Sequence, residues 1–300
     1  MVEAHLRALL DPPATAPTLA EAQAVCRDLT RAHYENFTVI SWLVPRWMRP
    51  HLEALYAYCR TVDDVGDEAP GDRLALLDRF EEELNATYDG RARHPVLVAL
   101  HPTIERFRLP KEPFDRLIEA NRIDQRITRH PTFDDLLHYC VHSANPVGRL
   151  FLMLYGFHDD ERFALSDATC TGLQLANFWQ DVARDYADGR IYLPQDEMQR
   201  FGVAETDLVE GRASKALRSL MAFQVERARR YFADGLPLLD RVSGHLRIDL
   251  ALFSRGGLAI LDKLESQDYD PLVRRPDVGK AQKIGLFLST LVSRRWRRWI

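Results

Sequence analysis

The chain has 300 residues, 46% of them apolar and 28% charged, and its 40 basic against 44 acidic side chains leave a formal charge of −4. That balance suits a globular protein with a substantial core and excludes a nucleic-acid-binding polycation. The longest stretches free of Asp, Glu, Lys and Arg are 13 residues, at 136–148 and 168–180, short of the ~20 apolar residues that a membrane-spanning helix needs.

Residues 1–18, with Glu3, Asp11, Pro12, Pro13 and Pro17, lack the basic and apolar blocks of a secretion signal and read as a flexible or loosely docked leader. From there the apolar residues recur at three and four. The pattern predicts helices over 19–34, 49–68, 72–88, 95–106, 112–128, 132–157, 162–186, 205–234, 237–265 and 277–297. Breaks fall at Pro70-Gly71, Asp89-Gly90, Gly189, Gly202 and Pro271. No run alternates at period two with β-branched residues, so a sheet is not expected. Residues 19–300 therefore read as a single all-α domain of about ten helices. Cys26, Cys59, Cys140 and Cys170 form no CxxC pair and suit reduced thiols in a cytoplasmic protein better than a disulfide frame or a thiolate metal site.

Two predicted helices carry the chemistry. In HLEALYAYCRTVDDVGDE, 51–68, a helical wheel puts Leu52, Leu55, Tyr56 and Cys59 on one stripe, with Asp63 in its middle and Asp67 beside it. Asp64 and Glu68 point further round. An apolar face running into two carboxylates calls for a counterion, unless that helix end simply reaches solvent. In LQLANFWQDVARDY, 173–186, Asn177, Asp181 and Asp185 follow at i, i+4 and i+8, with Gln174 on the same side. Leu175, Phe178, Trp179 and Val182 cover much of the rest. Oxygen ligands one turn apart, without His or Cys, favour Mg²⁺, which commonly bridges carboxylate to substrate phosphate. A solvated acidic edge is the plainer alternative.

CRTVDDVGD and NFWQDVARDYADGRIYLP resemble the two aspartate-rich motifs of the squalene and phytoene synthase family, head-to-head prenyltransferases with the all-α isoprenoid synthase fold, in which helices surround a central cavity. The resemblance runs from about His33 to Arg275. It implies that Asp63, Asp67, Asn177, Asp181 and Asp185 hold two or three Mg²⁺ ions that grip a diphosphate. Tyr56 and Arg60 match the family's YAxCR segment, and Arg190 follows in the DGR turn. Guanidinium forks suit phosphate oxygens, though either Arg could instead serve as an internal partner of the aspartates.

Departures from the family pattern narrow the branch. A Ser-x-Ser-Phe segment is replaced by His33-Tyr-Glu-Asn-Phe37, and YCYxVAGTVG by the segment 139–148, in which Val141 stands for the second Tyr and Asn145-Pro146 for the Gly-Thr pair. Leu258 stands where a Tyr is expected, within RGGLAIL. The combination looks like the bacterial hopanoid-pathway branch, in which presqualene diphosphate is ionised and water captures the cation, giving hydroxysqualene. That role suits a substrate site including His33, Asn36, Asn145 and Gln174, with NADPH not expected. Asn145 could equally be a turn residue before Pro146. Condensation of two farnesyl diphosphates and a non-catalytic assembly protein of the same fold are the alternatives.

Other features carry less. His138 and His142 are one turn apart but lack the Glu of a metalloprotease. Asp124 matches a family position beside the substrate channel or is a structural partner of Arg122. The tail 291–300, LVSRRWRRWI, could rest on an anionic membrane surface, in keeping with a cytoplasmic, membrane-associated enzyme, or could be a plain final helix. A neighbouring prenyltransferase is a possible partner; nucleic acid is not expected.

Overall fold

The computed structural model describes residues 4–32, 44–209 and 211–292. His33 and Asn36 from the sequence reading, and the tail from residue 293, lie outside the described residues. The fold is all-α. Among the described residues the only β pairing is one isolated parallel bridge, Arg129 with Ile191, and no helix is long and apolar enough to cross a membrane.

The chain falls into two compact units, residues 1–126 with 150–157 and residues 127–149 with 158–300. Unit 1 holds α1 (Ala4–Leu10), α2 (Leu19–Ala32), α3 (Arg49–Asp67), α4 (Arg73–Tyr88), α5 (Pro95–Phe107) and α6 (Glu112–Asp124). Helix α3 lies at its centre, in contact with each of the other five. Tyr58 of α3 is fully buried, donates its hydroxyl to Phe114 O at 2.9 Å and meets the Phe114 ring edge-on at 4.9 Å. Asp72 caps α4 by accepting from Ala75 N at 3.1 Å, satisfying an otherwise orphaned first-turn amide.

The segment expected as a loose leader contains α1, whose Leu6 and Leu9 are buried and whose terminal carbonyl of Leu9 accepts from Arg79 at 2.6 Å. The prolines mark the stretch after this helix. They say nothing about the apolar pair that docks it.

Unit 2 holds α7 (Phe133–Ser143), α9 (Asp160–Ala187), α10 (Gln195–Phe201), a 3₁₀ turn (Glu205–Leu208), α11 (Lys215–Gly235), α12 (Leu238–Arg241), α13 (Gly244–Ser266) and α14 (Lys280–Val292). Helix α8 (Asn145–Leu154) begins in unit 2 and ends in the stretch assigned to unit 1. The single helix expected over 132–157 is thus two. Ala144 closes α7 by donating to Cys140 O at 3.0 Å, and Pro146, which has no N–H, sits in the first turn of α8 where none is needed. The helix expected over 205–234 likewise starts late, at Lys215, where Ser214 caps it by accepting from Leu217 N at 3.1 Å.

Helix α9 packs chiefly on α11 and α13. Glycine allows the close approach: a Cβ on Gly235 would lie 2.1 Å from Thr169 Oγ1, and one on Gly257 2.3 Å from the Phe232 ring.

Candidate active site

In unit 1 the acidic end of α3 is arranged differently from the wheel. Asp64, expected to point to the side, is 2% exposed, whereas Asp63 and Asp67 are open to solvent. The buried sector of α3 runs through Ala54, Ala57, Tyr58, Thr61, Val62 and Val65. Its partners on several sides widen that sector beyond the narrow stripe of leucines.

Asp64 is compensated from two directions. Arg60 lies 2.5 Å from its Oδ1, and His5 of α1 donates Nε2–H to its Oδ2 at 2.7 Å. Arg60 also reaches Glu68 at 3.0 Å, so the internal-partner role foreseen for this guanidinium is the one the structure displays. The His5 carbonyl in turn accepts from His94 Nε2 at 2.9 Å. Burial pushes His94 down to about 4, which leaves it neutral and able to donate only one ring proton.

Asp63 is accessible yet closely surrounded by protein. Lost hydration pushes its carboxyl up to about 7; the weak hydrogen bond from Asn121 opposes this and the charge of Asp67 adds to it. Asn121, on α6, approaches Asp63 Oδ1 at 3.4 Å and also donates to Leu117 O. Gln125 donates to Gly66 O at 2.9 Å. Gly66 makes room for this pairing, since a Cβ there would lie 2.0 Å from Asn121 Oδ1. Tyr56 is half-buried, and burial raises its phenol above the ordinary value.

In unit 2 the spacing of the second motif yields the expected stripe. Asn177 donates to Asp181 Oδ2 at 2.9 Å. Asp181 is 7% exposed. Its charge is met by a residue that sequence spacing does not reveal: Arg275, whose Nε reaches Oδ1 and whose second nitrogen reaches Oδ2 at 3.0 Å. Gln180 fastens the same C-terminal stretch through Pro276 O.

Asp185 is half-buried, and burial pushes its carboxyl to about 7, with the charge of Asp181 adding and those of Arg190 and Arg184 opposing. Asp185 and Arg190 line one small recess with Phe178, Trp179, Val182 and Tyr192. The Arg190 amide donates to Asp185 O at 2.7 Å, so the DGR turn places the guanidinium beside the last acid of the helix. The following Ile191-Tyr-Leu segment is buried. It is held by the Ile191 N–H to Thr128 O bond at 2.9 Å and by Tyr192 stacked on Phe178 at 4.0 Å.

Gln174 is half-buried on the same helix. Asn145 is buried and accepts from Thr171 Oγ1 at 3.2 Å, which ties the start of α8 to α9. His138 and His142 touch ring to ring at 4.8 Å.

Among the described residues no three His, Cys, Asp or Glu side chains are gathered into a ready-made metal cage. The donor set nonetheless fits Mg²⁺. That ion keeps several waters and is held through one or two carboxylates plus substrate phosphate, without a full protein shell.

The sequence profile of the squalene/phytoene synthase family matches residues 30–282. The chain is 31% identical over 289 residues to a phytoene synthase of Arthrospira platensis, covering 90% of this chain and 92% of that one. It is 32% identical over 285 residues to a 15-cis-phytoene synthase of Synechococcus elongatus, covering 89% and 91%. Among solved structures, squalene synthase HpnC from Alicyclobacillus acidocaldarius is 48% identical, with a TM-score of 0.80 and coverage of 87% of this chain and 98% of that one. A ligand-bound dehydrosqualene synthase is 25% identical, with a TM-score of 0.84 and coverage of 91% and 96%.

Proposed function

The chain belongs to the squalene/phytoene synthase family, and from that premise we propose that it ionises presqualene diphosphate and directs water onto the rearranged carbocation, releasing hydroxysqualene and diphosphate. The observation that carries the reading is the oxygen-only stripe Asn177, Asp181 and Asp185 on α9, with Arg190 beside its last member. Asp63 and Asp67 are a further carboxylate pair, on α3 of unit 1.

We assign Mg²⁺ binding to Asp63, Asp67, Asn177, Asp181 and Asp185. Bound there, the ions would neutralise the departing diphosphate and lower the barrier to its release. Arg190 suits the phosphate oxygens directly. Arg275, half-exposed on Asp181, has to give up that carboxylate when a cation takes it. The aromatic and aliphatic residues around Asp185 give that carboxylate an apolar border.

One observation supports the hydrating branch: the segments ANPVGRL and RGGLAIL. The phytoene synthases, squalene synthase HpnC and the dehydrosqualene synthase favour, by their names, a second reading in which two prenyl diphosphates are condensed head to head.

Presqualene diphosphate and farnesyl diphosphate, offered separately in ¹⁸O-labelled water with and without NADPH, distinguish the two. Label in a thirty-carbon alcohol made from presqualene diphosphate without NADPH is the expected result. Efficient condensation of farnesyl diphosphate with no alcohol would establish the second reading instead. Absence of any divalent-metal-dependent diphosphate release would point to a non-catalytic relative.

A further inference from the structure

His138 and His142 stand one turn apart on α7, the first exposed and the second half-buried. Side chains at i and i+4 project from one side of a helix, and here the two imidazole rings meet with their centres 4.8 Å apart and their planes at 58°. His142 Nδ1 donates to the His138 carbonyl at 3.0 Å. A neutral imidazole carries a single ring proton, so this bond places it on Nδ1 and leaves the Nε2 lone pair available. Metal-binding histidines are oriented in the same way, by the hydrogen bond that the other ring nitrogen donates.

The ring separation suits a shared ion. With metal–nitrogen bonds of about 2.0–2.1 Å, an ion in line with both nitrogens lies about 3.2 Å from each ring centre, and N–metal–N angles of about 90° to about 109° then set the centres about 4.5–5.2 Å apart. The observed 4.8 Å falls within that span, so the rings can close on one ion by side-chain rotation while the helix stays as it is. Asp134, exposed one turn before His138, adds negative charge on the same side of the helix. Asp135 is committed elsewhere, to the capping box with Thr132 at the start of α7. Imidazole nitrogens favour zinc, copper and nickel, whereas Mg²⁺ takes hard oxygen ligands. The nitrogen pair on α7 and the oxygen-only stripe on α9 therefore select different ions.

We propose that His138 and His142 form a site for one divalent transition-metal ion of the zinc, copper and nickel class, separate from the acids assigned to Mg²⁺, and that the ion braces the turn of α7 that carries Tyr139. The protein supplies two ligands and water fills the remaining positions. Tyr139, between the two histidines in sequence, is buried, with its ring centre 5.9 Å from that of Tyr192 and 6.1 Å from that of Phe178. Phe178 in turn lines the recess of Asp185. A metal bridge across one helical turn favours the folded chain, because only the helix holds the two rings side by side. The site goes beyond the hydrating reading and does not depend on which prenyl reaction the enzyme performs.

The test uses the full chain without an affinity tag, with excess Mg²⁺ present throughout. Ni²⁺ is titrated by calorimetry, and Cu²⁺ is followed by electron paramagnetic resonance, which reads the nitrogens coupled to the metal. The variants are His138→Ala, at the exposed position, and His142→Asn, whose amide can still donate to the His138 carbonyl but offers no Nε2 ligand. Each should weaken the tightest Ni²⁺ binding at least about tenfold, the smaller end of what losing even an outer-shell partner of a metal costs. The Cu²⁺ spectrum of the wild type should show two imidazole nitrogens, and that of each variant one fewer. Saturating Ni²⁺ should raise the thermal unfolding temperature of the wild type and leave that of both variants unmoved. Three results overturn the proposal: Ni²⁺ affinity unchanged in either variant, Ni²⁺ displaced by Mg²⁺, or a wild-type unfolding temperature that does not respond to bound Ni²⁺.

Discussion

Replacing Asp249 with asparagine should stabilise the protein, and by more as the pH rises. An unfolded aspartate titrates near ~3.9, whereas burial holds the folded group near about 8. The folded state therefore retains a proton that the unfolded chain gives up. Below about pH 4 both states are protonated and there is no penalty. Through the window from about 4 to about 8 the wild type loses stability, and above it the penalty stays level. Each unit of pH within the window is worth ~1.36 kcal/mol, so the cost approaches on the order of 5 kcal/mol at its upper end. Asparagine does not titrate, and the other groups are common to both proteins. The difference in unfolding free energy between variant and wild type should then grow by on the order of 3 kcal/mol from pH 5 to pH 7.5. Urea unfolding of both proteins at the two values measures it. A gap that does not change with pH would show that the carboxyl is solvated or paired, and the argument from burial would fail.

Four further outcomes follow from the geometry. Gly66→Ala puts a methyl group 2.0 Å from Asn121 Oδ1; thermal unfolding should show a loss of about 1–3 kcal/mol from overpacking, together with weaker metal activation as Asn121 shifts away from Asp63. Asp63→Asn and Asp181→Asn should each lower turnover at limiting Mg²⁺ by at least ~10²-fold, and near-wild-type rates in both would remove the metal assignment. His5→Ala strips one of the two partners from a buried carboxylate and should cost about 1–3 kcal/mol in urea unfolding. Arg275→Gln removes the cation that competes for Asp181, so the Mg²⁺ concentration giving half-maximal activity should fall; a rise would mean that Arg275 serves the substrate.

The helical course of the chain is legible because its apolar residues keep one period over long stretches, and because Pro and Gly mark the ends. Over 132–157 the periodicity continues through the break between α7 and α8. The cap at Ala144 and the proline behind it are local backbone features that a period does not register. Short elements suffered most. Helices α1 and α10 have seven residues each, too few turns for a moment to emerge from the noise of individual side chains.

The two acidic helices show why spacing reads one site better than the other. On α9 the stripe is defined by its own i, i+4, i+8 geometry, and no packing choice can separate those residues. On α3 the question was which acid goes inside, and that is settled by neighbours. With α1 docked against it, Asp64 gains His5 from 59 residues away and becomes affordable in the core, while Asp63 stays at the accessible edge. Arg275 reaches Asp181 across 94 residues, equally beyond any local pattern.

Partner count then separates acids of different purpose. Asp64 has two cationic or donor partners that nothing in the proposed reaction needs to displace, which makes it a structural acid. Asp181 has a strong partner on a half-exposed arm, which can leave. Asp63 and Asp185 have only partial compensation, and their carboxyls hold protons more tightly than ordinary acids do. A divalent cation gains most where the protein's own compensation is least, so Asp63 and Asp185 are the acids at which it changes the electrostatics most, and Asp181 joins them once Arg275 gives way.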